Sequence, residues 1–293
     1  MGRSRIERKA PVRLTAPKKI LAILCLLLVL GALVPLAGCG TTGGTAETSA
    51  SSPPVTAPAA QQEPKFSFIV CGDPQNNYEV FDRVLAAAKT VDFLIVAGDL
   101  TGSGTSTEFQ TFISKMQASG VTYYCVPGNH DVATSAAEST YARYQGKPFY
   151  SFDHLNTHFV MIDDSTPSQG FYPAEREWAR ADMAAAKKRG YQHMFAVAHV
   201  PPGYPFSTKP GPNDAVGLDA NGLLAPELKK GGVEELFCGH LHAYSEEEID
   251  GLLVTITGGA GAPLHFSPAN GGYYHYVRVD INGRDRQQTV VKI

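Results

Sequence analysis

Cysteine is scarce in this sequence, and its scarcity excludes a disulfide-stabilised fold. Five cysteines occur in 293 residues, and Cys25 and Cys39 lie within or directly after an apolar N-terminal run. The other three, Cys71, Cys125 and Cys238, each close an apolar run, and an odd number does not form a disulfide framework. We therefore expect these three to be small buried side chains.

Basic residues are also scarce outside residues 1–38. Residues 1–38 carry seven of the 25 basic residues and one of the 28 acidic residues. The remainder therefore carries 18 basic and 27 acidic residues, a net charge of −9 with histidine neutral. A nucleic-acid-binding protein needs a basic surface that neutralises phosphates. We therefore expect no nucleic-acid binding.

The N-terminal segment has the pattern of an export signal. A basic stretch ends at Lys19, and the run ILAILCLLLVLGALVPLAG follows it and ends in small residues, which is typical of a secretory signal. The final LAGC, Leu36 to Cys39, resembles the lipobox of bacterial lipoproteins, in which the cysteine is lipidated and becomes the mature N-terminus. A simple transmembrane anchor is the alternative, because the run approaches the length that spans a bilayer. In both cases the rest of the chain is exported and tethered to a membrane, and we favour lipidation of Cys39.

Composition divides the chain into three regions. Residues 1–38 are predicted to be a lipoprotein signal peptide. Residues 39–64 are rich in Gly, Thr, Ser, Ala and Pro, and such a segment cannot bury enough apolar surface to offset the entropy lost on ordering. We expect it to be a flexible tether. No second linker and no internal repeat follows, so residues 65–293 are predicted to form one domain.

Apolar runs rich in β-branched and aromatic residues alternate with helical patterns in this domain. Helices are predicted over Glu79 to Lys89, Thr107 to Ser119 and Pro173 to Arg189. The early alternation indicates βαβ units and a largely parallel sheet, and the closer spacing of the later strands indicates a second, more antiparallel sheet. The predicted fold is an α/β sandwich of two mixed sheets flanked by helices. The strand candidates are residues 66–71, 93–98, 122–126, 149–153, 158–163, 193–199, 234–239, 252–257 and 273–281.

Five of these strands end in residues that commonly bind metals. Each motif alone is more often structural, because a Gly-Asp pair usually forms a turn and a single strand-end histidine is usually a packing residue. Separate structural roles do not explain why five strand ends all carry such residues. Ligands bind at the carboxyl edge of the strands in sheets of this kind, so residues far apart in the sequence can converge there. The motifs are GDPQ (Asp73, Gln75), GDL (Asp99), GNHD (Asn129, His130, Asp131), AHVPP (His199) and GHLH (His240, His242).

With these motifs the sequence resembles the calcineurin-like metallophosphoesterase family, whose motifs run D-x-H, G-D, G-N-H-[DE], H and G-H-x-H. The last four match residue by residue, and the resemblance covers the domain from Lys65 onward. The later motifs GHLHAYS and HVPPGY are similar to those of purple acid phosphatases. The tyrosine expected three residues after Asp99 is absent, so no tyrosinate bond to iron is expected. GDPQ is similar to the first motif of a branch that carries Asp-Pro-Gln there.

The resemblance implies an enzyme that hydrolyses phosphate esters with two divalent metal ions, which could be Mn, Fe, Mg or Zn. It implies attack by a metal-bridging hydroxide, with His130 stabilising charge or protonating the leaving oxygen. Asp131 either holds the ring of His130 or has a structural role in the turn. The implied ligands are Asp73, Gln75, Asp99 and His242 for one ion, and Asp99, Asn129, His199 and His240 for the other, with Asp99 bridging.

Gln75 departs from the histidine of the first motif. An amide oxygen favours harder ions such as Mn²⁺ or Mg²⁺ over Zn²⁺. The longer side chain leaves open whether Gln75 coordinates metal or hydrogen-bonds a water on it. Tyr204 and His265 are candidates for substrate contact, although a structural role fits them equally.

Several functional alternatives stay open. The substrate is expected to be a phosphorylated small molecule or peptide, and monoesters are favoured because both branch resemblances are to phosphomonoesterases. A phosphodiesterase acting on nucleotide-type substrates and a non-catalytic metal-binding protein of the same fold are the alternatives. His154, His158, His193 and His275 lie in strand patterns and are expected to be structural.

Overall fold

The strands form two mixed β-sheets. The computed structural model describes residues 63–166, 171–202 and 222–293. Over these ranges the strands are β1 Lys65–Cys71, β2 Phe93–Ala97, β3 Tyr123–Val126, β4 Tyr150–His154, β5 Thr157–Met161, β6 His193–Val197, β7 Glu235–Cys238, β8 Tyr244–Ile249, β9 Leu252–Thr257, β10 His275–Asn282 and β11 Asp285–Lys292. The helices are α1 Tyr78–Ala88, α2 Ser106–Ser119, α3 Ser135–Gln145, α4 Pro173–Arg189 and α5 Leu224–Gly231, with a 3₁₀ turn over Pro268–Asn270.

The first sheet has the order β11-β10-β1-β2-β3 and the second β4-β5-β6-β7-β9-β8. In the first, β1, β2 and β3 are parallel, while β10 and β11 pair antiparallel. In the second, β5, β6, β7 and β9 are parallel, and only the edge strands β4 and β8 are antiparallel. The prediction of two mixed sheets flanked by helices is confirmed. The expectation that the second sheet is the more antiparallel one is wrong, because β10 and β11 return to the first sheet.

Aromatic side chains fill the space between the sheets. Phe68 on β1 packs against Phe93 with ring centroids 5.3 Å apart, and against Phe159 of the other sheet at 5.2 Å. Phe195 and Phe237 of the second sheet belong to the same buried cluster. Since side chains alternate across a strand, the intervening residues face outward against helices. This accounts for helix layers on both outer faces.

The helices cover those outer faces. Phe81 of α1 and Phe109 of α2 pack on the first sheet. Met183 of α4 and Leu228 of α5 pack on the second. Tyr141 of α3 belongs to the same buried cluster as Phe81 and Phe109, so α3 also packs on the first sheet.

Helix α4 has clear end signals in its sequence. It begins with a proline in its first turn, and Gly190 caps its end in the left-handed conformation, a pattern that suits both termini. These signals explain why the predicted bounds, Pro173 to Arg189, are confirmed.

The carboxyl ends of the two sheets meet at one edge. The N–H of Gly72, just after β1, donates to the carbonyl of Thr257 at the end of β9, at 2.7 Å. A Cβ atom on Gly72 would lie 3.1 Å from the Cα atom of Gly239, which follows β7. The loops after β1, β7 and β9 therefore lie side by side, although they belong to different sheets.

Candidate metal centre

The polar strand-end residues gather where these loops meet. They come from the loops after β1, β2, β3, β6 and β7, and most of their side chains are buried. Several adopt the left-handed backbone conformation that non-glycine residues rarely occupy and that is frequent at functional sites. The φ angles are 63° at Asp73, 39° at Gln75, 52° at Asp99, 71° at His240 and 46° at His242. The backbone is thus held in a costly conformation at these five positions.

One group of donors consists of Asp73, Asp99 and His242. Each offers one ligand atom, and the three atoms lie within 4.8 Å of one another. Nε2 of His242 is 3.4 Å from Oδ1 of Asp73. Nδ1 of His242 lies 2.8 Å from the carbonyl of Pro263, so it donates there, and Nε2 is the ring nitrogen that faces the carboxylates. Fixing the tautomer in this way is typical of histidines that bind metal.

A second group of donors adjoins the first. Nε2 of His199 lies 3.4 Å from Oδ1 of Asp99 and 3.0 Å from Oδ1 of Asn129. Nδ1 of His240 lies 2.8 Å from the same oxygen of Asn129. Nδ1 of His199 donates to the carbonyl of Ala97 at 2.9 Å. His199 therefore also directs its Nε2 into the centre.

Asp99 lies between the two groups. Its Oδ1 faces His199 and accepts the N–H of His130 at 2.9 Å. Its Oδ2 accepts a hydrogen bond of 2.7 Å from Nε2 of Gln75. A ligand shared by two ions has to face both sets of donors, and Asp99 does so.

Charge in the centre is balanced by protons on imidazole. Burial raises the pKa of Asp99, and the charge of Asp73 adds to the effect. Burial opposes ionisation of Asp73 too, but hydrogen bonding to His242 and nearby imidazoles outweigh it and lower its pKa. Burial lowers the pKa of His199, but Asp99 and Asp73 outweigh burial and raise it to about 9. A divalent cation supplies the same positive charge and displaces such protons.

The donor set fits divalent metal ions. Carboxylate oxygens, an amide oxygen and imidazole nitrogens converge, and such mixed sets bind Mn²⁺, Fe²⁺, Zn²⁺ or Mg²⁺. Residues Asp73, Asp99 and His242 alone supply three ligand atoms in reach of one ion.

Two glycines of the motifs allow the backbone to approach the ligands closely. A Cβ atom on Gly128 would lie 2.2 Å from both the backbone nitrogen and Oδ1 of Asp99. One on Gly239 would lie 2.4 Å from Oδ2 of Asp73. No side chain fits at either position without displacing a carboxylate.

His130 stands beside the centre without belonging to either group. Its Nδ1 lies 2.8 Å from the carbonyl of Gly102, to which it donates. Its Nε2 is 4.0 Å from Oδ2 of Asp99, and 43% of the side chain is exposed. The half-exposed ring therefore lies at the edge of the centre, with Nε2 on the side of Asp99.

Asp131 holds two loops together rather than the ring of His130. Its buried carboxylate accepts hydrogen bonds from the N–H groups of Leu100 and Thr101 at 3.0 and 2.9 Å, and from that of Gly128 at 2.9 Å. It also accepts one from Oγ1 of Thr101 at 2.7 Å. Since Gly102 orients the ring of His130, the contacts favour the structural one of the two roles left open for Asp131.

The remaining predicted residues fall in different places. His265 is exposed, and its ring stacks on that of His242 with centroids 4.9 Å apart. Tyr204 and Cys39 lie outside the described residues. Cys71, Cys125 and Cys238 are free and buried, as predicted.

Sequence reasoning missed Asp164. This buried carboxylate accepts the N–H of His199 at 2.8 Å and that of Val200 at 3.1 Å, and so fixes the loop that carries His199. Burial raises its pKa to about 7. Asp164 follows the apolar run of β5, so the strand-end criterion that selected Asp73 and Asp99 also applies to it.

Comparisons with known proteins agree with the fold. The sequence profile described as calcineurin-like phosphoesterase matches residues 66–244. A purple acid phosphatase, PPD1 from seeds of yellow lupin (Lupinus luteus), superimposes with a TM-score of 0.65 at 16% identity over 79% of this chain. The aligned part is 52% of the lupin chain, so this protein spans about half of its length.

A second solved structure is similar over almost the same share of the chain. GAP50, the anchor in the inner membrane complex of Plasmodium, has a TM-score of 0.53 at 13% identity and is covered over 84% of its length, against 78% of this chain. At such identities both likenesses concern the fold alone. No curated protein matches the sequence. Among the described residues, no helix has the length and apolar character needed to cross a membrane.

Proposed function

The chain belongs to the calcineurin-like phosphoesterase family, and from that premise we propose that it hydrolyses phosphate monoesters with two divalent metal ions bound at the centre. The observation that supports two ions is the position of Asp99, whose two carboxylate oxygens face separate groups of donors. One ion would be held by Asp73, Asp99 and His242, with Gln75 beside them. The other would be held by Asp99, Asn129, His199 and His240.

Divalent ions bound there would supply positive charge to the phosphoryl oxygens and to the attacking water. The chain's own residues orient these groups. Gly102 and Ala97 fix the tautomers of His130 and His199 through their carbonyls. Backbone N–H groups hold both carboxylates: Asp73 accepts that of His240 at 2.9 Å, and Asp99 accepts that of His130 at 2.9 Å.

His130 is the proposed acid. Because its Nδ1 donates to the carbonyl of Gly102, Nε2 is the ring atom left to interact with the substrate. A protonated ring would give its Nε2 proton to the leaving oxygen of the ester, a contribution of about 10²- to 10⁴-fold in rate. His265, stacked on His242 at the exposed side, is placed to contact the substrate.

The preference for monoesters rests on motif similarity to purple acid phosphatases and on the lupin structure of that name. It is tested by stripping the full-length protein of metal and reloading it separately with Mn²⁺, Mg²⁺, Zn²⁺ and Fe²⁺. Hydrolysis of para-nitrophenyl phosphate and of its bis ester is then measured. We expect metal-dependent hydrolysis that favours the monoester. Faster hydrolysis of the bis ester would support a phosphodiesterase instead, and no hydrolysis with any metal would support a non-catalytic metal-binding protein.

We further propose that the protein is exported and anchored to the cell membrane through a lipid on Cys39, after removal of residues 1–38. The support is the LAGC sequence at the end of the apolar run. Mass spectrometry of the mature N-terminus and membrane fractionation test this proposal. Cys39→Ser should abolish lipidation and release the protein from the membrane fraction, whereas an unmodified Cys39 in a membrane-bound protein would favour a transmembrane anchor.

A further inference from the structure

A cavity of about 330 Å³ lies between α3, the loop after β5 and the start of α4. Its walls include the carboxylates of Glu138 and Asp163, the ring of Tyr172 and the apolar side chain of Val132. The volume is in the range of sites that bind small organic molecules. No function described above uses this cavity.

The cavity shares two loops with the metal centre. Val132 lies two residues after His130 and directly follows the GNHD motif. On the opposite wall, Asp163 precedes Asp164, whose carboxylate accepts the N–H of His199. The cavity walls therefore belong to the loop that carries His130 and to the loop that holds His199 in place.

The described walls of the cavity carry carboxylates without a paired cation. Among the residues that the structure describes, its walls contain Glu138 and Asp163 but no lysine, arginine or histidine. Within the described part of the chain, neither carboxylate forms an ion pair. Burial raises the pKa of Asp163, and the charge of Glu138 raises it further. Burial, together with Glu175 and Asp163, raises the pKa of Tyr172 to about 12.

The carboxyl group of Glu175 lies behind the wall of the cavity. Oε1 of Glu175 accepts the N–H of Asp163 at 2.7 Å, which ties Glu175 directly to the wall. Its Oε2 is buried and has no hydrogen-bond partner among the described residues. Burial raises the pKa of Glu175 to about 9, so its carboxyl group is neutral at pH 7. The negative charge of the cavity therefore comes from the carboxylates in its walls, and Asp163 also accepts a hydrogen bond from the hydroxyl of Ser165.

The other walls suit the carbon atoms of such a ligand. Tyr141, Ala142, Pro148 and Val132 present aromatic or aliphatic surface. The ring of Tyr172 is supported by Phe149, with centroids 6.3 Å apart. An ammonium group gains from carboxylates and from aromatic rings, while its methylene groups pack on apolar surface.

We propose that this cavity binds the amine of the leaving group, so that the preferred substrates are phosphate monoesters of small amino alcohols. The substrate assignment rests on the proposed phosphoesterase function. The binding of an alkylammonium group rests on the cavity alone.

The test compares two esters that differ only in charge. O-phosphoethanolamine carries an ammonium group where n-propyl phosphate carries a methyl group. With the full-length, metal-loaded protein, kcat/KM should be about tenfold higher for O-phosphoethanolamine, as expected for one favourable charge contact. In Glu138→Gln this ratio should fall about fivefold or more, with hydrolysis of n-propyl phosphate and para-nitrophenyl phosphate unchanged. Glu248→Gln, which removes an exposed acid from β8, is the matched control and should leave the ratio unchanged.

Binding of free ethanolamine, measured by calorimetry, separates the two proposals. If para-nitrophenyl phosphate is hydrolysed but ethanolamine does not bind and the two esters react equally, the cavity inference is wrong and the enzyme proposal stands. If no ester is hydrolysed but ethanolamine binds and Glu138→Gln weakens its binding, the enzyme proposal fails and the cavity assignment stands. Asp163→Asn serves as a second variant, and an unchanged ratio in both variants would overturn the inference.

Discussion

The side-chain amide of Gln75 donates a hydrogen bond of 2.7 Å to Oδ2 of Asp99, the carboxylate that faces both groups of metal donors. The same nitrogen is 3.3 Å from Nε2 of His242. The side chain of Gln75 therefore reaches the centre. Rotation of the amide by 180° would exchange its nitrogen for its oxygen at that position, which is the orientation a metal ligand requires.

Gln75→His should change which metal the protein prefers. An imidazole nitrogen in place of an amide oxygen favours Zn²⁺ relative to Mn²⁺ and Mg²⁺. We expect the ratio of Zn²⁺ to Mn²⁺ affinity, measured by competition with a chelator, to rise about tenfold or more. Gln75→Ala is the control that separates loss of the amide from gain of the imidazole. An unchanged ratio in Gln75→His would show that residue 75 does not contact the metal.

His130→Ala should reduce kcat without reducing the bound metal. The ring is exposed, donates to Gly102 and belongs to neither group of donors. We expect kcat for para-nitrophenyl phosphate to fall about 10²- to 10⁴-fold, with the metal content per chain unchanged. His154→Ala on β4 provides a histidine control that should retain activity. A loss of metal in His130→Ala would instead identify His130 as a ligand.

Asp131→Asn should destabilise the fold. The carboxylate accepts four hydrogen bonds from Leu100, Thr101 and Gly128, and an amide would turn N–H groups toward some of these donors. We expect the free energy of unfolding in urea to fall by about 2 to 4 kcal/mol. Thr101→Val, which removes one donor, should cost less. Normal stability with lost activity would point to a catalytic role for Asp131.

His158 should make stability depend on pH. Its buried ring lies between Asp182, at 2.8 Å, and Asp153. Burial lowers the pKa of His158, but hydrogen bonds to these carboxylates outweigh burial and raise it above the ordinary value of 6.5. The protonated form is therefore favoured by folding, and its stabilisation is complete below pH 6.5 and is lost as pH rises through the higher folded-state value.

Urea unfolding at several pH values tests this expectation. The difference in unfolding free energy between the parent and His158→Gln should be larger at pH 6 than at pH 9. Asp153→Asn should reduce the pH dependence, because it removes one of the two acceptors. A difference that stays constant or grows toward pH 9 would contradict the account.

The fold was predictable wherever local signals agree with packing. Pro173 and Gly190 mark the ends of α4, and the apolar run of β9 has no competing pattern. Helix α3 was missed because only Ala137 and Tyr141 are buried, which leaves little amphipathic pattern. Strands β8 and β11 were missed because polar residues dominate them and they lie at sheet edges.

The site was predictable in part because strand ends converge. The carboxyl ends of neighbouring parallel strands share an edge, so Asp73 and Asp99, which follow β1 and β2, could be placed together from the sequence. Their hydrogen-bond partners could not. The bonds from Leu100 and Thr101 to Asp131 connect residues about thirty positions apart and depend on loop geometry. Pro263 orients His242 through its backbone carbonyl. Every residue type has such a carbonyl, so the sequence does not mark this position.

The most direct test of a two-metal phosphoesterase is a titration of the metal-free, full-length protein with Mn²⁺, in which bound Mn²⁺ per chain and the rate of para-nitrophenyl phosphate hydrolysis are measured on the same samples. If Asp99 joins two sites, the rate should stay near zero until one ion per chain is bound and should reach its maximum at two. Full activity with one ion, or no hydrolysis at saturation, would contradict the account.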